Sequence, residues 1–444
     1  PLYLGLDMGS TTVKAVLLDQ DANALATRYM WGRGDALGAA RTVVLDILRG
    51  IPAGAFIRQC AVTGYGAAML RAALGFDIEE VETMAHFKAA NHVLPGVSFI
   101  LDIGGQDIKC MQVKKGNIQR IFLNEACSAG CGAFIETFAE SLGFTVQNFT
   151  KAALWSESPL DLGSRCTVFM NSKVRCAQKE GVAVEDIAAG LAYAVARNAL
   201  YKVICIRNAE DLGDKVVVQG GAFINNALLR AFEVILGREV VRPPLPGLMG
   251  AFGAALIARE RAGDDVDASS ALLSLAELEA FTSQTHTRRC MLCGNRCLLT
   301  VSDFSGGNKF VSGNKCPKGA GQAEQLSAPN LFAERYDKIF NYTPRRPENA
   351  PRGEIGIPRV LNMYENYPLW FTIFTELGYS VQLSSKSSRK LFESGLASIP
   401  SQTVCYPAKL VHGHVLDLAK RGIKRIFYPC IPNEGQTGDD ADNN

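Results

Sequence analysis

No apolar run in the 444 residues approaches the roughly 20 that a membrane-spanning helix requires. The start of the chain lacks the basic, apolar and small-residue pattern of an export signal. Charge of one sign is also missing: the net value is +2, which gives no reason to invoke nucleic acid or an anionic membrane as partner. There is no short-period repeat. The P-loop pattern Gly-x4-Gly-Lys-Ser/Thr is absent, which excludes that nucleotide fold. An initiator methionine is lacking as well, because Pro1 stands directly ahead of a first apolar strand and a polar tail closes the chain after Gln436. A fragment of a longer polypeptide is expected. The 13 cysteines are an odd number with no secretory signal beside them, so thiolate chemistry in a reducing cytoplasm is expected rather than disulfides.

What is present reads as ordinary globular protein, 48% hydrophobic and 20% charged with 42 glycines, long enough for two or three cores. Leu2–Asp7 is an apolar strand ending in a carboxylate, followed by a glycine turn and a returning strand, Val13–Asp19. A helix over Ala36–Arg49 and a strand over Ile57–Gly64 complete one α/β half. The pattern recurs: Val97–Asp102 ends in Asp before Gly104-Gly105, and Ile108–Val113 and Ile118–Leu123 continue the sheet. Two related halves are predicted, holding a phosphate between their glycine turns. Helices follow at Gly130–Leu142 and Val184–Ile206, a strand at Val216–Gly221, a helix near Asn225, and a last helix at Gly247–Arg259.

Three segments carry phosphate chemistry. In Asp7-Met-Gly-Ser-Thr-Thr-Val-Lys14, Gly9 permits close backbone approach, Ser10, Thr11 and Thr12 supply hydroxyls, and Lys14 is a point cation. Asp7 can hold Mg²⁺ directly or through water. Asp102-Ile-Gly-Gly-Gln-Asp-Ile-Lys109 offers Asp102 opposite, Gly104 and Gly105 at the turn, and Gln106 to orient a water. Gln219, Gly220 and Gly221 suit a purine and ribose, with Asn225 capping a helix. A single glycine turn after a strand is usually only a turn; three in this chain order make the nucleotide reading sharper.

Two cysteines stand out at the mouths of predicted helices: Cys127 in Asn124-Glu-Ala-Cys-Ser-Ala-Gly-Cys-Gly-Ala-Phe134 and Cys166 in Ser164-Arg-Cys-Thr-Val-Phe-Met-Asn-Ser172. Helix N-termini favour negative charge, so a thiolate-ligated cluster would be stabilised there. The bland alternative is a pair of ordinary buried thiols.

Residues 2 to about 260 resemble the actin, hexokinase and heat-shock ATPase superfamily, a two-lobed ribonuclease H-like α/β fold. Within it they closely resemble the ATP-dependent activators (activases) of 2-hydroxyacyl-CoA dehydratases, relatives of the benzoyl-CoA reductase ATPase subunits. The resemblance rests on Leu4–Lys14, Leu101–Asp107, Asn124–Phe134, Cys166–Ser172 and Gln219-Gly-Gly221. It implies an ATPase with ATP and Mg²⁺, and a 4Fe–4S cluster that Cys127 and Cys166 of each protomer ligate across a homodimer. It implies low-potential electron transfer to a dehydratase- or reductase-like acceptor in anaerobic metabolism, that acceptor being in one reading the missing part of the same polypeptide. Cys131 stands where the family usually has a small residue and is read as a bystander. Cys60, Cys110, Cys176 and Cys205 default to structural roles.

Beyond an acidic linker the spacing Cys290-x2-Cys293-x3-Cys297-x18-Cys316 puts four thiols inside 27 residues, suited to zinc or a second iron–sulfur cluster. The later segments alternate helix and strand like a partial parallel α/β domain. They resemble the start of a dehydratase-subunit-like region, with Cys405 and Cys430 at loop entrances as ligands of a further cluster. The expected division is an ATPase domain at 1–262, a linker at 263–285, a cysteine-rich module at 286–342 and the partial domain at 343–444. Two competing functions remain at this level: a small-molecule kinase of the same superfamily, or a nucleotide-responsive scaffold with structural metal sites.

Overall fold

Leu2–Met8 (β1) is buried along its whole length, as a central strand covered on both faces must be. In the computed structural model β1 is flanked by the antiparallel Thr12–Leu18 (β2), which pairs in turn with Ala24–Trp31 (β3). On its other side β1 runs parallel to Ile57–Thr63 (β4). The structure describes residues 1–9, 11–32, 34–105, 107–124, 132–163, 167–206, 208–263, 268–292, 295–321, 329, 331–399 and 404–431. Helix Ala36–Arg49 (α1) forms where predicted: the Asp35 carboxylate accepts from the Gly38 N–H, and Ala39, Ala40, Val43, Val44 and Ile47 make its buried stripe. Ala67–Leu74 (α2) and the short strand Ile78–Glu79 (β5) complete a sheet of order β3-β2-β1-β4-β5.

Helix Glu82–Val93 (α3) leads into the second sheet. There Phe99–Ile103 (β6) pairs antiparallel with Ile108–Lys114 (β7), and β7 with Asn117–Asn124 (β8). Four helices follow, Gly132–Ser141 (α4), Val146–Ala152 (α5), Thr167–Lys179 (α6) and Val184–Asn198 (α7). Val216–Gln219 (β9) then inserts parallel to β6, and Val217 bridges in parallel to Val241. The second order, β8-β7-β6-β9 and then Val241, repeats the first strand for strand. The strand–Asp–Gly pattern that occurs twice in the sequence therefore marks two halves of one topology. Asn226–Leu236 (α8) is capped by Asn225, whose Oδ1 accepts from the Ala227 and Leu228 N–H groups. Met249–Arg261 (α9) returns to the first half and packs on β1 and α3.

The segment expected as a linker is partly structured. Leu275–Ala280 (α10) starts with a Ser274–Glu277 capping box, and Leu278 and Phe281 are buried against the core of the first half. The Asp77 carboxylate accepts from Ser270 Oγ and the Ala271 N–H at 2.6 and 2.8 Å, fixing the approach. Ser283–Arg289 (β10), Leu298–Phe304 (β11) and Lys309–Ser312 (β12) form a three-stranded sheet. Phe304 and Phe310 join the same core, so residues 300–312 belong with residues 1–288 rather than with a separate cysteine-rich module.

Residues 289–299 and 313–444 form a second unit. After Phe332–Phe340 (α11), Glu354–Ile357 (β13) runs parallel to Ser380–Leu383 (β14), with Met363–Glu376 (α12) as the crossover helix. Gly356 adds a parallel bridge to Ile426, and Arg389–Gly395 (α13) and Tyr406–Lys420 (α14) pack together. Its core gathers Phe340, Ile355, Ile357, Met363, Tyr367, Phe371 and Val381. This is mixed α/β with parallel pairing, the local pattern expected of the C-terminal segments.

Candidate functional site

The repeat of topology brings a repeat of chemistry. At the end of β1, Asp7 stands in register between Lys14 on β2 and Thr63 on β4. At the end of β6, Asp102 stands between Lys109 on β7 and Gln219 on β9. Each parallel neighbour is followed by a glycine in the left-handed region, Gly64 at φ +91° and Gly220 at φ +95°. A Cβ on Gly64 would lie 2.8 Å from Asp7 Oδ1, and one on Gly220 2.6 Å from Asp102 Oδ1. Both turns thus need glycine for conformation and for space. The tight turns after the carboxylates also match: the Gly9 N–H donates to the Thr12 carbonyl and the Gly104 N–H to the Asp107 carbonyl, each at 2.9 Å.

A cavity of about 750 Å³ lies between these elements, a size common for small-molecule sites. It collects Asp7, Gly9, Thr11, Thr12 and Lys14 from the first half and Gly104, Gly105 and Lys109 from the second. Asp102 and Gln219 are buried on the strands that lead to it, and they, Gly220, Gly221 and Asn225 are not among the residues that line the cavity. Asn225 is committed to capping α8. Ser10 and Gln106 lie outside the described residues. Two buried carboxylates at matching strand ends form an all-oxygen donor set, which fits a hard cation such as Mg²⁺ better than zinc or copper.

The halves differ in how the carboxylate is held. Lys14 Nζ donates to Asp7 Oδ2 at 3.1 Å; burial disfavours the ammonium charge, but Asp7 outweighs it and the lysine pKa is raised. Lys109 is instead drawn to Glu82 at 2.7 Å and to Asp107 at 2.9 Å. Its place at Asp102 is taken by His86 of α3, whose Nδ1 forms a close ion pair with Asp102 Oδ2. Gln219 Nε2 donates to the same oxygen at 3.1 Å and lies 2.7 Å from His86 Nδ1, while the buried Gln219 Oε1 has no partner among the described residues. Burial pushes the imidazolium toward losing its proton, yet Asp102 outweighs it and His86 is raised. Burial likewise pushes Asp102 up, and His86 with Gln219 overcomes it, holding the carboxyl below the usual range. Sequence reading missed His86 and Glu82. Their i, i+4 spacing on an alanine-rich segment was the available signal.

Cys127, Cys131 and Cys166 lie outside the described residues. The helices they precede are present: α4 begins at Gly132 and α6 at Thr167. Cys60 and Cys110 are fully buried, and burial pushes both thiols up, as inert core thiols require. Cys176 and Cys205 are exposed. In the second unit the Cys290 N–H donates to the Cys297 carbonyl at 2.8 Å; Cys290 is buried and Cys316 exposed, and Cys293 lies outside the described residues. Among the described residues no three His, Cys, Asp or Glu side chains are grouped to hold a metal ion, so the expected metal module is not seen there. Cys405 occupies the N-cap position of α14, and both it and Cys430 are exposed. No helix among the described residues is long and apolar enough to cross a membrane.

The 2-hydroxyisocaproyl-CoA dehydratase activator of Clostridioides difficile is 32% identical over 58% of this chain and 95% of its own length. The (R)-2-hydroxyglutaryl-CoA dehydratase activating ATPase of Acidaminococcus fermentans is 30% identical over 58% of this chain and 97% of its own. The solved structure of the activator of the 2-hydroxyisocaproyl-CoA dehydratase from Clostridium difficile, with bound ADPNP, superposes with a TM-score of 0.52 at 29% identity, covering 59% of this chain and 96% of that one. The model of the CoA enzyme activase uncharacterised domain matches residues 354–444. The model of the BadF/BadG/BcrA/BcrD ATPase family matches residues 4–258, more than half of the sequence, and the chain belongs to that family.

Proposed function

We propose that the chain is an ATP-dependent reductive activase. It hydrolyses MgATP in the cavity between the two sheets and uses that reaction to drive an electron from a 4Fe–4S cluster, shared across a homodimer, to an acyl-CoA dehydratase- or reductase-like protein. One observation carries the reading: the same carboxylate, lysine and glycine set occurs at equivalent strand ends in both halves, and lysines and glycines of both line one cavity together with Asp7, in a chain of this ATPase family. The relatives named as activators of acyl-CoA dehydratases support the choice of acceptor.

In this reading the backbone and hydroxyl groups of Gly9, Thr11, Thr12, Gly104 and Gly105 hold the phosphates, together with Lys14 and with Ser10. Asp7 and Asp102 hold Mg²⁺, which neutralises phosphate charge when bound. Gln106 orients the attacking water. Gln219, Gly220 and Gly221 border the nucleoside, with Asn225 ordering the helix beside it. Cys127 and Cys166 of each protomer ligate the cluster, which supplies a one-electron store at low potential. Residues 1–262 carry the ATPase machinery, Cys290, Cys293, Cys297 and Cys316 supply a second thiol set for zinc or iron–sulfur, and 343–444 form a dehydratase-related portion with Cys405 and Cys430 at its edge.

The test is anaerobic purification followed by nucleotide turnover, iron and sulfide analysis and EPR. ATP hydrolysis that depends on Mg²⁺, and an iron–sulfur signal that disappears in Cys127→Ala and Cys166→Ala, are expected. Full iron and sulfide in either cysteine variant would end the bridging assignment. Turnover that survives Asp7→Ala and Asp102→Ala unchanged would end the nucleotide assignment.

A further inference from the structure

We propose that His86 is a positioning residue of the nucleotide site: its Nδ1–H fixes the Asp102 carboxylate in the role that Lys14 plays for Asp7. The proposal deepens the ATPase reading above and rests on it. The break in the internal repeat is its starting point. The lysine opposite Asp102 in register is Lys109, yet its ammonium group is turned to Glu82 and Asp107. Without another donor, Asp102 would be a buried carboxylate held, among the described residues, only by the Gln219 amide. His86 fills that position from a helix that the first half does not use for the purpose.

The other edge of the ring faces the first half. A Cβ on Gly250 of α9 would lie 3.0 Å from His86 Nε2 and 2.8 Å from Asp7 Oδ2, so these two atoms flank the same small space. Glu82 Oε1 is 3.7 Å from Nε2. One imidazole therefore touches Asp102 on one side and borders the Asp7 carboxylate on the other. It sets the aim of Asp102 and, through the space kept open by Gly250, the separation of the two strand-end acids. Oδ2 of Asp102 is taken up by His86 and Gln219, which leaves Oδ1, against the Gly220 turn, as the oxygen available to a ligand.

A side chain that only fills space and one that aims a carboxylate respond differently to isosteres. Asn places an amide N–H close to the histidine Nδ1 position, whereas Gln reaches the Nε2 position. ATP turnover and binding of a fluorescent ATP analogue are measured on the full chain for wild type, His86→Ala, His86→Asn and His86→Gln, with thermal melts as a check on folding. In His86→Ala the kcat is expected to fall about 100-fold, the scale of a misaimed group, with KM and analogue affinity changed far less. His86→Asn is expected to restore most of the loss and His86→Gln little of it. Equal activity in the Asn and Gln variants, or kcat within twofold of wild type in His86→Ala, overturns the positioning role while leaving the ATPase reading intact. A wild-type chain that binds no analogue and hydrolyses no ATP overturns both.

Discussion

At the scale of single residues the site is a set of matched acids with unmatched partners. Asp7→Asn and Asp102→Asn keep the shape of each strand end and remove the charge proposed to hold Mg²⁺. Each is expected to lower ATP turnover by about 100-fold or more, checked by phosphate release with Mg²⁺ in excess. A different histidine, in the second unit, offers a pH test. His414 is buried, with Ser384 Oγ at 2.8 Å from Nδ1 and Ser387 Oγ at 3.0 Å from Nε2. Burial pulls its pKa down to about 4 from 6.5. The unfolded chain binds this proton below pH 6.5 and the folded chain does not until about pH 4, so folding stability is full above 6.5 and is lost as pH falls toward 4. His414→Gln is expected to flatten that part of the stability–pH curve for residues 313–444, measured by hydrogen exchange or denaturant melts. Of the residues at the two strand ends, Asp7, Gly9, Lys14, Asp102 and Gly104 were legible in the sequence because a strand, a carboxylate and a glycine turn lie adjacent along the chain. His86 was not, since its partners Asp102 and Gln219 are brought to it only by the folding of two other strands.

At the scale of elements, β1, β2, β4, β6, β7, β8 and β9 could be read from short apolar runs bounded by glycine, and α1 from its periodic apolar stripe. Helix α3 was illegible for a physical reason: its N-cap is Val81, which offers no side-chain hydrogen bond, so the usual start signal is missing. Helix α10 did carry such a signal, the Ser274–Glu277 box, inside a stretch whose small polar residues suggested only a connection. The contact between α3 and α9 is unusually close. A Cβ on Gly253 would lie 1.8 Å from the Ala85 carbonyl oxygen, so the backbones themselves are in contact there. Gly253→Ala is expected to cost about 1–3 kcal/mol of stability, read from denaturant midpoints, because neither helix can yield without disturbing β1 beneath. Asn225→Ala removes the cap of α8 and is expected to cost about 1 kcal/mol in the same measurement.

For the whole molecule, the proposed cluster makes assembly and redox state one question. If Cys127 and Cys166 of two protomers hold one cluster, the anaerobic dimer should weaken on iron chelation. Native mass measurement before and after chelation, with Cys166→Ser as the control that starts without cluster, checks this. The two topologically equivalent sheets are joined by α3 on the way out and α9 on the way back, and those two connectors meet backbone to backbone at Ala85 and Gly253. Shearing one connector along the other would drive Cα and carbonyl atoms into each other, whereas turning about that point leaves the spacing unchanged. A change in the width of the cleft is therefore expected to turn about this contact, like a pair of tongs, rather than slide along it.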